Sequence, residues 1–322
     1  MKPIVFKPLA AAALMLAACI AQAQPYPSRP VRIIVPNAAG GPSDLVGRIM
    51  GQRFTELWGQ GVVVENRVGA GGNIGVDAVA KAAPDGYTLL VTNSAPIVVN
   101  QSLYASLPYD PIKDLAAISL LASAPMVVIV PASSPMNSVA DIIRTAKAEP
   151  DKLTFASVGV GSAPHLAGEL FKSQTGVKLL HVPYRTVPQI YAALMVGESS
   201  LMFDVPSVFA QVRAGRMKAL AVTSKGRSSF APDLPTLSES GLPDYEMIAW
   251  YGLMAPAGIN ANILSKLNAD AVRVLNIPDV KTKMAGISFE PVGSSPEQFS
   301  ALTKTESARW AAVIKSAGIK AN

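Results

Sequence analysis

The sequence holds 322 residues, half of them hydrophobic and 16% charged, enough to bury a large core and more than one compact domain usually takes. Its formal charge of +6 is scattered and aromatic residues make up only 6%, which excludes a phosphate-tracking groove or a base-stacking platform, so no nucleic-acid partner is expected. A modest positive balance favours anionic solutes instead.

At the N-terminus, Lys2 and Lys7 precede an apolar run from Leu9 to Ala21 that closes on the small-x-small site Ala21-Gln22-Ala23. These features read as a secretory signal peptide over residues 1–23, too short to span a bilayer. Leu16-Ala17-Ala18-Cys19 also fits a lipobox, so acylation at Cys19 stands as the alternative to cleavage after Ala23. Removing residues 1–23 deletes two lysines and no acids and leaves a charge of +4. Cys19 is the only cysteine, so a chain cut after Ala23 has neither disulfide nor thiolate ligand. No later stretch reaches about 18 uninterrupted apolar residues, so the exported chain is expected to be a soluble periplasmic protein.

Beyond residue 30, short β-branched runs alternate with helical patterns, which predicts an α/β protein with parallel sheets flanked by helices. Strands are predicted at 31–35, 62–65, 88–92, 126–130, 153–156, 178–182, 201–203, 219–223 and 251–255. Several are apolar throughout, as strands buried on both faces are. Val46, Ile49, Met50, Phe54 and Leu57 recur at helical spacing after Ser43, and Ile142, Ile143 and Ala146 do so after Ser138, each serine a candidate N-cap. Longer helices are expected over 264–275 and 297–317, the second ending at a C-cap glycine, Gly318.

Two distant segments, 31–50 and 153–171, share one plan of strand, glycine-rich turn and amphipathic helix. The first turn contains Asn37, Ala38, Ala39, Gly40, Gly41, Ser43 and Asp44; the second contains Val158, Gly159, Val160, Gly161, Ser162 and His165. If each opens its own domain's sheet, the turns can face each other across a cleft. A glycine-rich turn admits a ligand close to backbone N–H groups, and a helix starting there adds unpaired donors and the positive end of its dipole. Such a pair of turns suits an anion, and micromolar binding, about −8 kcal/mol, is within its reach without an arginine. Either turn alone would read as an ordinary βα connection.

Other chemistries find less support. Gly69-Ala70-Gly71-Gly72-Asn73-Ile74-Gly75 follows a strand, but Ile74 occupies the third glycine position of a dinucleotide fingerprint and the next strand ends at Thr92-Asn93 without an acid for the ribose, so no cofactor is expected. No phosphate loop and no nucleophile elbow occur. Ser162 and His165 stand three apart at a helix start, a hydrolase-like pair without a third member. Two separated histidines without a cysteine make no zinc site. Asp204, at the C-terminal end of a buried strand, either faces the cleft or caps the following helix. Tyr184-Arg185 and Trp250-Tyr251 are further candidates for the cleft wall.

The order of Tyr26-Pro-Ser-Arg-Pro-Val-Arg-Ile-Ile-Val-Pro36, Ala39-Gly-Gly-Pro-Ser-Asp44, Glu65-Asn-Arg-Val-Gly-Ala-Gly-Gly-Asn-Ile-Gly75, Pro84-Asp-Gly-Tyr-Thr88, His165-Leu-Ala-Gly-Glu169, His181-Val-Pro-Tyr184, Leu201-Met-Phe-Asp204 and Ala255-Pro-Ala-Gly258 closely resembles the Bug family of bacterial extracytoplasmic receptors over essentially the whole exported chain. The resemblance implies a two-lobed periplasmic-binding-protein fold, each lobe a mainly parallel sheet flanked by helices, joined by two crossing strands. It implies lobe one at 25–124 plus 246–322 and lobe two at 125–245, closing by a hinge motion on a small carboxylate. The turns at 37–44 and 158–162 would grip one carboxylate through backbone groups and ordered waters, and several members serve the membrane subunits of tripartite tricarboxylate transporters. Asn37, where the family commonly has a bulkier residue, and Thr186, where glycine is frequent, depart from the pattern and leave the ligand open among di- and tricarboxylates, acidic amino acids and aromatic acids. The expected protein is a monomeric binding protein, not an enzyme, without metal; a carboxylate-sensing receptor and, further off, a secreted hydrolase are the alternatives.

Overall fold

The computed structural model describes residues 26–320; the signal peptide expected over 1–23 and Cys19 lie outside the described residues. The chain runs through β1 (Val31–Val35), α1 (Pro42–Trp58), β2 (Val62–Asn66), α2 (Asn73–Ala80), β3 (Thr88–Asn93), a π-helical turn (Ala95–Val99) leading into α3 (Asn100–Leu103), and β4 (Leu115–Pro125). A second series follows: β5 (Val127–Pro131), α4 (Val139–Ala148), β6 (Thr154–Ser157), α5 (Ala163–Thr175), β7 (Leu180–Pro183), α6 (Val187–Met195), β8 (Leu201–Asp204), α7 (Phe209–Arg213) and β9 (Met217–Val222). The chain then returns through β10 (Ile248–Pro256), α8 (Ala261–Leu275), α9 (Pro278–Gly286), β11 (Glu290–Pro291) and α10 (Pro296–Ala317).

These strands form two sheets, ordered β11-β4-β10-β3-β1-β2 and β7-β6-β8-β5-β9. The two-lobed α/β architecture holds, but the sheets are mixed where mainly parallel ones were expected. In each lobe three consecutive strands joined by helical crossovers are parallel, β2-β1-β3 and β7-β6-β8. The remaining strands, β10, β4 and β11 in one sheet and β5 and β9 in the other, pair antiparallel. The reason is the double crossing: the chain changes sheet between Pro125 and Val127 and again between Val222 and Ile248, so each sheet receives a strand arriving from the other lobe. β5 is buried along its whole length between two antiparallel partners, so its apolar run reflects burial on both faces and not strand direction.

Thr223 ties both crossings, accepting the Met126 N–H at 2.6 Å and donating to the Met247 carbonyl at 2.5 Å. Helix α10 spans the lobes from the other side. It starts in a Ser295–Gln298 capping box, ends at Gly318 as expected, and packs on both β4 and α5. Its Trp310, Val313 and Ile314 belong to one apolar core with Phe171 and Phe203 of lobe two and Ile97 of lobe one. Among the described residues no helix is long and apolar enough to cross a membrane.

Candidate ligand-binding cleft

Both lobes place a topological switch at the same point. β2 and β3 lie on opposite sides of β1, and β7 and β8 lie on opposite sides of β6, so a crevice opens beyond the carboxyl ends of β1 and β6. The two glycine-rich turns leave from those ends. A cavity of about 400 Å3 lies between them, lined in lobe one by Asn37 and Ala38 and in lobe two by Val158, Val160, Gly161 and Ser162.

The other residues predicted for the first turn build it from behind. Asp44 is buried; its Oδ2 accepts the Gly40 N–H at 2.8 Å and Arg48 Nε–H at 2.9 Å, and its Oδ1 accepts from Asn66 Nδ2 at 2.9 Å. Burial alone would raise the Asp44 pKa; the hydrogen bonds from Arg48, Gly40 and Asn66 outweigh it and hold the carboxyl below its ordinary range. Gly40 has φ +77°, a left-handed conformation that a Cβ disfavours. The Gly41 N–H returns to Ala38 O at 3.2 Å. The glycine donors are therefore spent inside the turn, while no protein acceptor meets the N–H groups of Asn37, Ala38 and Ala39 among the described residues. Ser43 is not the N-cap that was expected: Gly41 takes that place, Pro42 fills the first helical position with its preset φ, and buried Ser43 follows.

The second turn repeats this plan. The Gly159 N–H binds Ser157 Oγ at 3.0 Å and the Gly161 N–H binds His165 Nδ1 at 3.1 Å, leaving the Val158, Val160 and Ala163 N–H groups without a protein acceptor. Because Nδ1 of His165 accepts, its proton sits on Nε2. Ser157 Oγ is 2.6 Å from His181 Nε2, and the two imidazole centroids stand 4.0 Å apart. Burial lowers His165 to about 3, aided by His181 and Lys172, and lowers His181 to about 4, aided by Lys172, so both rings are neutral at pH 7. Gly161 has φ +79°, a left-handed conformation that a Cβ disfavours, and a Cβ there would stand 2.4 Å from Leu103 Cδ1 of α3 in the opposite lobe, so that side chain would have to shift.

Capping separates these two helices from four others, while α2, α3, α7 and α9 also start without a side-chain cap. α4, α6, α8 and α10 are closed by side chains of Ser138, Thr186, Asn260 and Ser295. α1 and α5, which start at the cleft, have no side-chain cap; the Ser162 hydroxyl turns away to donate to Gly159 O at 2.6 Å. Two long helices thus point uncapped N-termini, each with its partial positive charge, toward one cavity.

The sequence reading missed the third wall. Val68, Gly69, Gly71 and Gly72, together with Asn93, Asn100 and Tyr104, line the cavity from lobe one. The glycine run set aside as a failed dinucleotide site is a cavity-facing loop, backed by Asn100 Nδ2, which donates to Gly71 O at 3.1 Å and Asn73 Oδ1 at 2.6 Å. Its glycine content was the available signal; nothing in the sequence pointed to Tyr104. Asp204 is not among the lining residues: its Oδ2 accepts from Tyr191 Oη at 2.5 Å and its Oδ1 from the Val205 N–H at 2.8 Å. Burial raises its pKa against both hydrogen bonds. Tyr184 and Arg185 line a separate depression with Gln189 and Glu198, and Trp250 and Tyr251 are buried in β10.

Ser162 and His165 do not form a nucleophile–base pair, since the hydroxyl is engaged by Gly159 O and Nδ1 by the Gly161 N–H. Among the described residues no group of three or more His, Cys, Asp or Glu side chains is arranged to hold a metal.

The chain is 36% identical over 300 residues to the protein BugT of Bordetella pertussis, covering 92% of each chain. Among solved structures it is similar to R. palustris Rpa4515 with adipate, with a TM-score of 0.82 and 35% identity over 92% of this chain and 99% of that one. It is also similar to MatC (Rpa3494) from Rhodopseudomonas palustris with bound malate, with a TM-score of 0.77 and 31% identity over 90% of this chain and all of the other. The pattern of the tripartite tricarboxylate transporter family receptor, TctC, matches residues 46–319, and this chain belongs to that family of solute-binding receptors, not enzymes.

Proposed function

We propose that this protein is exported to the periplasm by its first 23 residues, captures a small carboxylate between its two turns, and delivers it to the membrane subunits of a tripartite tricarboxylate transporter. The observation that carries the reading is the cavity between two uncapped helix N-termini, with unpaired N–H groups at Asn37, Ala38, Ala39, Val158, Val160 and Ala163. The adipate and malate held by the two R. palustris relatives support the ligand class. The lobes divide near 124/125 and 245/246, where Thr223 fastens the crossings, and closure bends the chain there. Asn37, Ala38, Val158, Val160, Gly161 and Ser162 contact the ligand, and Ala39 offers its free N–H beside them; Gly40, Gly41, Ser43, Asp44, Gly159 and His165 hold the turns in shape. Asp204 stands outside the lining, held by Tyr191 and the Val205 N–H.

Thermal unfolding of the chain from residue 24 onward, stripped of co-purified ligand, tests this against mono-, di- and tricarboxylates and acidic amino acids. A ligand at a hundred times its dissociation constant adds about 2.7 kcal/mol, a rise of a few degrees. If no carboxylate moves the transition, the reading fails.

A further inference from the structure

A second cavity, of about 220 Å3, lies where the chain re-enters lobe one, between β4, β10 and α10, and shares no residue with the cleft. Its walls are mostly apolar: Leu120 of β4, Ile248 and Trp250 of β10 and Leu302 of α10, with Val292 left 45% exposed beside them. An apolar void of about 150 Å3 is already enough to take a benzene ring. This cavity therefore has room for a single ring with a small substituent.

Trp250 is 2% exposed, and its Nε1–H meets no acceptor among the described residues. The other two indoles of the chain are satisfied, Trp58 by Asp270 at 2.7 Å and Trp310 by Glu306 at 2.8 Å. A buried donor keeps its desolvation cost until an acceptor arrives. The charged residues of the lining decide which acceptor suits. Glu306 is spent on Trp310 and on Arg309, at 3.2 Å, and Arg309 also donates to the Glu246 carbonyl. The Glu246 carboxylate meets only Lys225, at 3.8 Å, among the described residues. Two acids against one arginine leave the lining net negative, which repels a carboxylate. A hydroxyl, in contrast, can accept from an indole N–H and donate to a carboxylate.

We propose that this cavity is a second ligand site, for a neutral single-ring molecule carrying a hydroxyl, with its apolar body among Leu120, Ile248 and Leu302 and its hydroxyl at Trp250 Nε1. The site is separate from the carboxylate cleft and selects against anions.

Proton–nitrogen NMR of the chain from residue 24 onward, with the three indole N–H signals assigned by Trp→Phe replacement, tests it by titration with 4-methylphenol and benzyl alcohol, set against toluene and 4-methylbenzoate. At least one of the two alcohols should shift the Trp250 signal saturably, with a dissociation constant below about 1 mM, while the Trp58 signal stays in place. At the Trp250 signal, toluene should bind at least fivefold and 4-methylbenzoate at least tenfold more weakly. Val292→Phe and, independently, Ser123→Leu, both checked for cooperative unfolding, narrow the cavity and should weaken the alcohol at least fivefold. No saturable shift with either alcohol would overturn the site, and so would an affinity unmoved in a folded cavity variant. Toluene binding as tightly as the alcohols would overturn the role of the hydroxyl, and 4-methylbenzoate doing so would overturn the selection against anions. All of these outcomes leave the carboxylate-receptor reading to its own titration.

Discussion

Asp44 carries three hydrogen bonds that fix the first turn, from the Gly40 N–H, Arg48 and Asn66, although it does not line the cavity. Asp44→Ala would orphan these donors, so we expect a loss of about 3 kcal/mol in urea unfolding and at least tenfold weaker carboxylate binding. Gly161 has the opposite character, since it bonds little and matters for what it lacks. Gly161→Ala would place a methyl 2.4 Å from Leu103 and strain a backbone at φ +79°. The expected result is a folded protein that stays open with ligand, measured as at least tenfold weaker binding and a larger radius of gyration in solution scattering. The glycines of both turns were legible in the sequence, but the partners of their N–H groups were not. Gly40, Gly41, Gly159 and Gly161 spend their N–H groups inside the turns, and the neighbouring alanines and valines keep free donors; hydrogen-bond partners of that kind depend on the path of the folded backbone.

At the level of elements, β6, β7 and α5 meet at a histidine pair, His165 buried and His181 half-buried. His165 holds the Gly161 N–H, His181 holds Ser157, and Glu169 and Lys172 of α5 lie beside them. Both pKa values lie below the ordinary 6.5, at about 3 and about 4. The unfolded chain therefore takes up protons near pH 6.5 while the native protein does not, so these groups leave stability unchanged above that pH and erode it as pH falls from 6.5 toward 3. Unfolding midpoints followed from pH 7.5 to 4 should fall less steeply in His165→Asn/His181→Gln than in the unaltered protein. The strands and helices with clear periodicity were legible, including the ends of α10. β4 was not, because its run of Ala, Ser and Leu shows neither alternation nor β-branching; pairing with β10 and β11 makes it a strand. α9 likewise has little apolar periodicity and is defined by packing of Val280 and Met284 into the core of lobe one.

Across the whole molecule, the two crossings and α10 link the lobes. Thr223 joins the crossings through Met126 and Met247 and is fully buried. Thr223→Val keeps the shape and removes both bonds, leaving a buried N–H and carbonyl unpaired, and should cost about 1–3 kcal/mol in denaturant unfolding. The ligand-free scattering profile of that variant should also broaden if the crossings are the hinge.

Composition, periodicity and the repeated strand–turn–helix plan determined by themselves that the chain is α/β and that two glycine-rich turns each lead from a strand into a helix, because these follow from local residue types and their spacing. Strand direction for three strands of one sheet and two of the other, the third glycine-rich wall, the absence of Asp204 from the cavity lining and the division of each turn into donors kept and donors spent were decided only by tertiary structure. Each depends on which distant segment lies alongside, and a double crossing brings together residues that the sequence keeps more than a hundred positions apart.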